Sequence, residues 1–135
     1  MRFKFNKDQL FANDSPREAC GVIGVYVPKM EVSKTLFFGL FALQHRGQES
    51  AGIAVSNGDK IRIHSKMGLV SQVFREDDLE YLKGFLGIGH TRYSTMGGSK
   101  ISNAQPLIVD GIRGNLAVGH NGNVINADIL REEIT

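Results

Sequence analysis

The sequence predicts a layered α+β domain, and three of its features carry that prediction. An almost wholly apolar, β-branched run opens at Cys20, apolar residues recur at steps of three and four between Met30 and Leu43, and Asn57-Gly58-Asp59 separates two short strand-like segments. Strands interleaved with helices must stack in layers, because each element has an apolar face to bury.

Residues 1 to 19 hold Phe3, Phe5, Leu10 and Phe11 among Asn, Asp, Lys and Ser without a helical or strand period, so they read as an irregular arm. The run CGVIGVYV at 20 to 27 has the composition of a strand buried on both faces, and Pro28 ends it. From Met30 to Leu43 the residues Leu36, Phe37, Leu40, Phe41 and Leu43 form a wide apolar stripe, which predicts a well-buried helix. Gly52 to Ser56 and Lys60 to His64 flank the Asn-Gly-Asp turn as a hairpin, with Ile61 and Ile63 on its buried side. Glu76, Asp77 and Asp78 start a short helix that Lys83 and Gly84 close, since acids suit the positive end and glycine the residue past the last turn.

Phe85 to Thr91 and Asn115 to Asn121 read as further strands, joined by a Ser/Gly-rich stretch from Tyr93 to Asn103 and a brief strand at Pro106 to Val109. The final segment starts a helix at Asn126 with a capping residue and an early acid, and reaches Thr135 before any stop signal. The expectation is a chain cut in mid-helix, with an incomplete sheet whose partners lie beyond it.

With 41% hydrophobic and 22% charged residues, the 135-residue chain has the composition of one globular domain or a part of one. Sixteen Lys and Arg against fourteen Asp and Glu, dispersed along the chain, give no basic stripe and predict no nucleic-acid partner. A single cysteine excludes an internal disulfide, and no apolar stretch is long enough for a signal peptide core or a membrane span, so a cytoplasmic location and no membrane partner are expected. The four histidines have no recurring ligand spacing, which predicts no metal in this segment. The glycines of GFLGIG at 84 to 89 are wrongly spaced for a dinucleotide loop.

Taken alone, Cys20 is a small core residue, Asn121-Gly122 a turn, Arg92 and Thr95 surface residues and Arg46 a structural ion-pair partner. Their surroundings change that. The motifs CGVIGVY at 20 to 26, LQHRGQESAGIAV at 43 to 55, GIGHTRYST at 87 to 95, NAQPL at 103 to 107 and GHNGNVINA at 119 to 127 stand in fixed order. Together they resemble the glutaminase domain of the amidophosphoribosyltransferase family, which uses glutamine and phosphoribosyl pyrophosphate to begin purine synthesis. The glucosamine-6-phosphate-forming amidotransferases share the Cys-Gly start and the His-Thr-Arg and His-Asn-Gly motifs but read Tyr-Arg-Gly-Tyr-Asp where this chain has HRGQE, so HRGQE and NAQP favour the purine enzyme. A non-catalytic fragment or pseudoenzyme is the other alternative.

The resemblance implies the four-layer αββα sandwich of the Ntn hydrolases, incomplete here, with residues 1 to 19 as a propeptide and 20 to 135 as the first part of a class II glutamine amidotransferase domain. It implies that Cys20 is the nucleophile once it is the first residue, because a free α-amine beside the thiol can manage its proton: the reference values of about 8.5 and ~7.7 to 8.0 are close enough for transfer. Asn121 (side-chain N–H) and Gly122 (backbone N–H) match the oxyanion donors, Arg92 the group that binds the substrate α-carboxylate, Thr95 a second contact, and Arg46 and Gly47 the nucleophile's pocket. Tyr93 to Asn103 matches a lid over glutamine. The segment itself is expected to hold no cofactor. Mg2+ is expected with a phosphoribosyltransferase domain that would come later, together with an iron-sulfur (4Fe-4S) cluster in some members, and the whole enzyme is expected to be a homo-oligomer.

Overall fold

The computed structural model describes residues 20 to 93, 100 to 112, 114 to 122 and 126 to 134. In chain order the elements are strand β1 (Gly21–Tyr26), helix α1 (Ser33–Ala42), a 3-10 turn (Gln44–Arg46), strands β2 (Ser50–Ser56) and β3 (Ile61–Met67), short helices α2 (Val70–Val73) and α3 (Glu76–Tyr81), strand β4 (Leu86–Arg92), a second 3-10 turn (Ile101–Asn103), strands β5 (Leu107–Gly111) and β6 (Gly114–Val118), and helix α4 (Ala127–Ile134). Strands β1, β4, β2 and β3 form one antiparallel sheet in that order, and β5 and β6 pair separately as a two-stranded ribbon.

The core lies between one face of the larger sheet and the helices. Val32, Leu36 and Leu40 of the α1 region pack with Ala51, Ile53 and Val55 of β2, and Val70, Val73, Phe74, Leu79 and Leu82 close the layer. The β2–β3 connection follows its turn chemistry: Gly58 takes φ +93, and the Asn57 side-chain oxygen accepts from the N–H groups of Asp59 and Lys60 at 3.1 and 3.0 Å. Before α3, the Arg75 N–H donates to the Asp78 carboxylate at 2.9 Å, so one of the three acids serves as a cap as well as a dipole partner.

Two expectations about burial need correction. β1 is not buried on both faces: Ile23 and Val25 pack toward the core while Val22 and Tyr26 are 44% and 63% exposed, because α1 covers only one side of the sheet. An unbroken apolar run specifies a strand but not what covers its second face. Helix α1 likewise begins at Ser33 rather than Met30 and buries only a narrow stripe. Leu36 and Leu40 are fully covered and Phe37 meets Phe74 edge to face, whereas Phe41 is 55% exposed.

Candidate active site

Register and alternation decide which side chains can meet. Gly21, Thr91 and Ala51 stand side by side across β1, β4 and β2, and a Cβ at Gly21 would lie 2.7 Å from Thr91 Oγ1 and 3.0 Å from Leu43 Cβ, so this row faces α1. The neighbouring row of Val22, His90 and Gly52 must then face away from α1. The same alternation carries on to Cys20, Arg92 and Ser50, which share one end of the sheet on the face opposite α1. There the half-buried Cys20 thiol points its S–H at the Tyr93 carbonyl, with Sγ 3.9 Å from the oxygen.

The segment between α1 and β2 wraps this end. Gln44 latches it, its side chain donating to the Gly47 carbonyl at 2.6 Å and accepting from the Val70 N–H. Arg46 Nε donates to the Cys20 carbonyl at 3.4 Å, so the guanidinium is tied to the backbone of the candidate nucleophile. Gly47 passes directly against β4: a Cβ there would lie 2.7 Å from the carbonyl carbon and oxygen of Thr91, a contact that no side chain could make. The Glu49 N–H donates to the Arg92 carbonyl at 3.0 Å, and the Glu49 carboxylate lies 3.9 Å from Arg92 Nε. Cys20, Arg46, Gly47 and Arg92 are thus brought together.

Glu49 is the residue that sequence reasoning passed over. Its side chain is 10% exposed, neither carboxylate oxygen has a hydrogen-bond partner among the described residues, and its charge is balanced by Arg92. The only signal was its place in HRGQE.

Asn121 and Gly122 form an exposed bend after β6, and among the described residues no hydrogen bond joins either to Cys20. They are placed by the residue before them. The His120 N–H donates to the Gln105 side-chain oxygen at 2.7 Å, and His90 Nε2–H donates to the His120 carbonyl at 2.9 Å. Since His90 pairs with Val22, two residues from Cys20, the bend is anchored over the same end of the sheet as the thiol. Burial pushes the His90 pKa below its ordinary value; the bond to His120 opposes the shift, and the charges of His120 and Arg92 reinforce it. Its imidazole is therefore a neutral structural donor. The His64 ring is held between the Val73 carbonyl at 2.9 Å and the Asp78 carboxylate at 3.3 Å. Thr95 and residues 94 to 99 of the expected lid lie outside the described residues, as does the arm, 1 to 19.

No family model matches the chain. Individual relatives do. The amidophosphoribosyltransferase of Synechococcus elongatus is 55% identical over 121 residues, which is 90% of this chain and 24% of the relative. That of Methanocaldococcus jannaschii is 49% identical over 116 residues, covering 85% of this chain and 25% of the relative. The chain is homologous to the amidophosphoribosyltransferases. It spans about a quarter of their length. A solved structure described as the allosteric regulatory enzyme of purine biosynthesis matches with a TM-score of 0.74 at 41% identity, over 84% of this chain and 24% of that one. The glutamine phosphoribosylpyrophosphate amidotransferase of B. subtilis, solved with ADP and GMP, matches at 0.71 and 40% identity over the same shares. The mixed α/β layering read from the sequence is thus the fold of the amidophosphoribosyltransferase glutaminase region, and the glucosamine-6-phosphate alternative is not favoured.

An iron-sulfur cluster does not fit the residues present, because Cys20 is the chain's only cysteine and such clusters take several thiolates. Among the described residues no group of three His, Cys, Asp or Glu side chains is arranged to hold a metal ion, and no helix is long and apolar enough to cross a membrane.

Proposed function

We propose that this chain supplies the thiol half of a glutamine-dependent amidophosphoribosyltransferase: after removal of residues 1 to 19, Cys20 hydrolyses glutamine, and the ammonia goes on to phosphoribosyl pyrophosphate to give 5-phosphoribosylamine, the first step of purine synthesis. The observation that carries this reading is the meeting of Cys20, Arg46 and Arg92 at one sheet end, in a chain 55% identical to an amidophosphoribosyltransferase over 121 residues. The α-amine freed at Cys20 takes the thiol proton, and the thiolate attacks the carboxamide carbon of glutamine. A tetrahedral oxyanion forms, with Asn121 and Gly122 as its donors. The C–N bond then breaks, the ammonium of Cys20 returns its proton to the departing nitrogen, and a thioester remains. Water attacks the thioester carbon, releasing glutamate and the thiol. Arg92, whose planar fork of donors suits a carboxylate, holds the α-carboxylate, and Thr95 adds a second contact. Arg46 and Gly47 shape the pocket wall.

The phosphoribosyl-transfer chemistry, its Mg2+ and any iron-sulfur cluster belong to the three quarters of the relatives that this chain does not span, as does the homo-oligomeric assembly we propose for the whole enzyme, acting in the cytoplasm. In the complete enzyme, N-terminal sequencing should find Cys20 first. Cys20→Ala should retain the arm and lose glutamine hydrolysis while ammonia supplied in solution still supports the transfer. An enzyme that begins at Met1 and hydrolyses glutamine at full rate would sink the reading.

A further inference from the structure

NAQP at 103 to 106 has no role in the chemistry above, yet its Gln105 is 92% buried, at 8% exposure, and sits against β2. Its backbone rests on Gly52, the β2 residue in register with His90, at a spot where a Cβ would collide with the Gln105 carbonyl and lie 2.7 Å from Ser65 Cβ. From this seat its side-chain oxygen takes the His120 N–H at 2.7 Å. From β4, the fully buried His90 gives its Nε2–H to the His120 carbonyl at 2.9 Å. Gly119, one residue earlier, lies against the same side chain, and a Cβ there would be 3.7 Å from His90 Cδ2.

Both backbone polar groups of one residue are therefore held by buried side chains from two different segments. The His120 carbonyl belongs to the peptide plane that also contains the Asn121 nitrogen, so the His90 bond fixes the plane from which Asn121 departs. Asn121 and Gly122 are themselves exposed, and among the described residues a Cβ at Gly122 would meet nothing within 4 Å. We propose that Gln105 and His90 are positioning residues that clamp His120 and so aim the donors of Asn121 and Gly122 at the oxyanion; this rests on the proposed function. Donors act on a transition state only when they already point where charge develops, and a displacement of about 1 Å can cost on the order of a hundredfold in rate.

The test uses the complete, processed enzyme. Gln105→Met keeps the length of the side chain and removes the acceptor. It should lower kcat for glutamine hydrolysis about tenfold or more, within the cost of a misplaced donor, leave the glutamine KM within about twofold, and speed hydrogen exchange of the His120 amide. His90→Leu should act in the same direction, and His90→Gln, which can present a side-chain N–H at nearly the position of Nε2, should recover most of the loss. In an Asn121→Ala background Gln105→Met should add little, because it acts through the donor already removed. An unchanged kcat in Gln105→Met, a loss confined to KM, or a full further loss in the Asn121→Ala background would each overturn the proposal. If Asn121→Ala alone leaves kcat unchanged, it is the oxyanion role of Asn121 that fails, and the clamp's purpose with it. If Asn121→Ala slows the reaction and Gln105→Met does not, only the clamp fails.

Discussion

The Glu49 carboxylate faces Nε of Arg92 at 3.9 Å, with both side chains at least 88% buried. A planar fork of five donors allows a division of its bonds between Glu49 and, in the site we propose, the substrate carboxylate. A lysine has no such division. In Arg92→Lys the single ammonium would be drawn to the buried Glu49 carboxylate, since an ion pair strengthens out of water, and would be lost to the substrate. We expect Arg92→Lys to raise the glutamine KM by roughly tenfold or more, the worth of about 1.4 kcal/mol, with a smaller effect on kcat. Steady-state glutaminase kinetics on the complete enzyme will show it, and an unchanged KM would remove Arg92 from carboxylate binding.

Gly52→Ala should destabilise the chain by about 1 to 3 kcal/mol, the usual cost of overpacking. The new methyl would meet the Gln105 backbone, not the yielding end of a flexible side chain, and Ser65 Cβ closes the other side. Urea unfolding of wild type and variant should give a lower midpoint at similar slope. Equal midpoints would mean that the 105 segment does not rest on β2.

The depressed pKa of His90 fixes the sign of one pH effect. In the unfolded chain the imidazole takes a proton below about 6.5, whereas in the fold it resists. The unfolded state therefore binds more protons as pH falls past that value, so this residue's contribution is intact above pH ~6.5 and is lost progressively below it, by at most about 1.4 kcal/mol per pH unit. His90→Gln has no such titration. The stability advantage of wild type over this variant should shrink between pH 7.5 and 5.5 in urea unfolding. A gap that stays constant would show that His90 titrates alike in both states.

Elements whose identity is set locally were legible in the sequence. The Asn57-Gly58-Asp59 turn needs a positive φ at Gly58 and a side-chain acceptor at Asn57, both written in three residues. The acids before Leu79 likewise announced α3, and Asp78 is its cap. What the sequence did not show depends on distant partners. Which face of β1 stays open depends on where α1 packs across the sheet. Helix α2 is latched by Gln44, 26 residues away, in addition to its local cap, in which the Leu69 N–H donates to the Gln72 side chain at 3.1 Å. In the site, the identities of Cys20, Arg92 and Asn121 came from matched motifs, while the Glu49–Arg92 pair and the clamp on His120 arise only when β2, β4 and the 105 segment are stacked.

Asn121→Asp separates transition-state stabilisation from both folding and substrate capture. Asn121 is exposed at a bend, where Asp has much the same backbone preference, so the fold should not change. Glutamine should still bind, because in the site we propose its carboxylate is held by Arg92 at the end of β4 and not at the bend. The developing oxyanion, by contrast, would meet a negative acceptor in place of a donor at nearly constant size. Losing such a donor costs roughly a hundredfold to a thousandfold in rate, and the added repulsion should carry Asn121→Asp to the upper part of that range. Glutamine affinity measured by equilibrium binding should stay within a few fold, while single-turnover thioester formation on Cys20 slows by two orders of magnitude or more. An Asn that serves only as a turn residue forecasts no such split, since Asp would replace it with little effect on either measurement. Acylation at the wild-type rate would return Asn121-Gly122 to the status of a turn and leave the His90 and Gln105 bonds to His120 as supports of the fold alone.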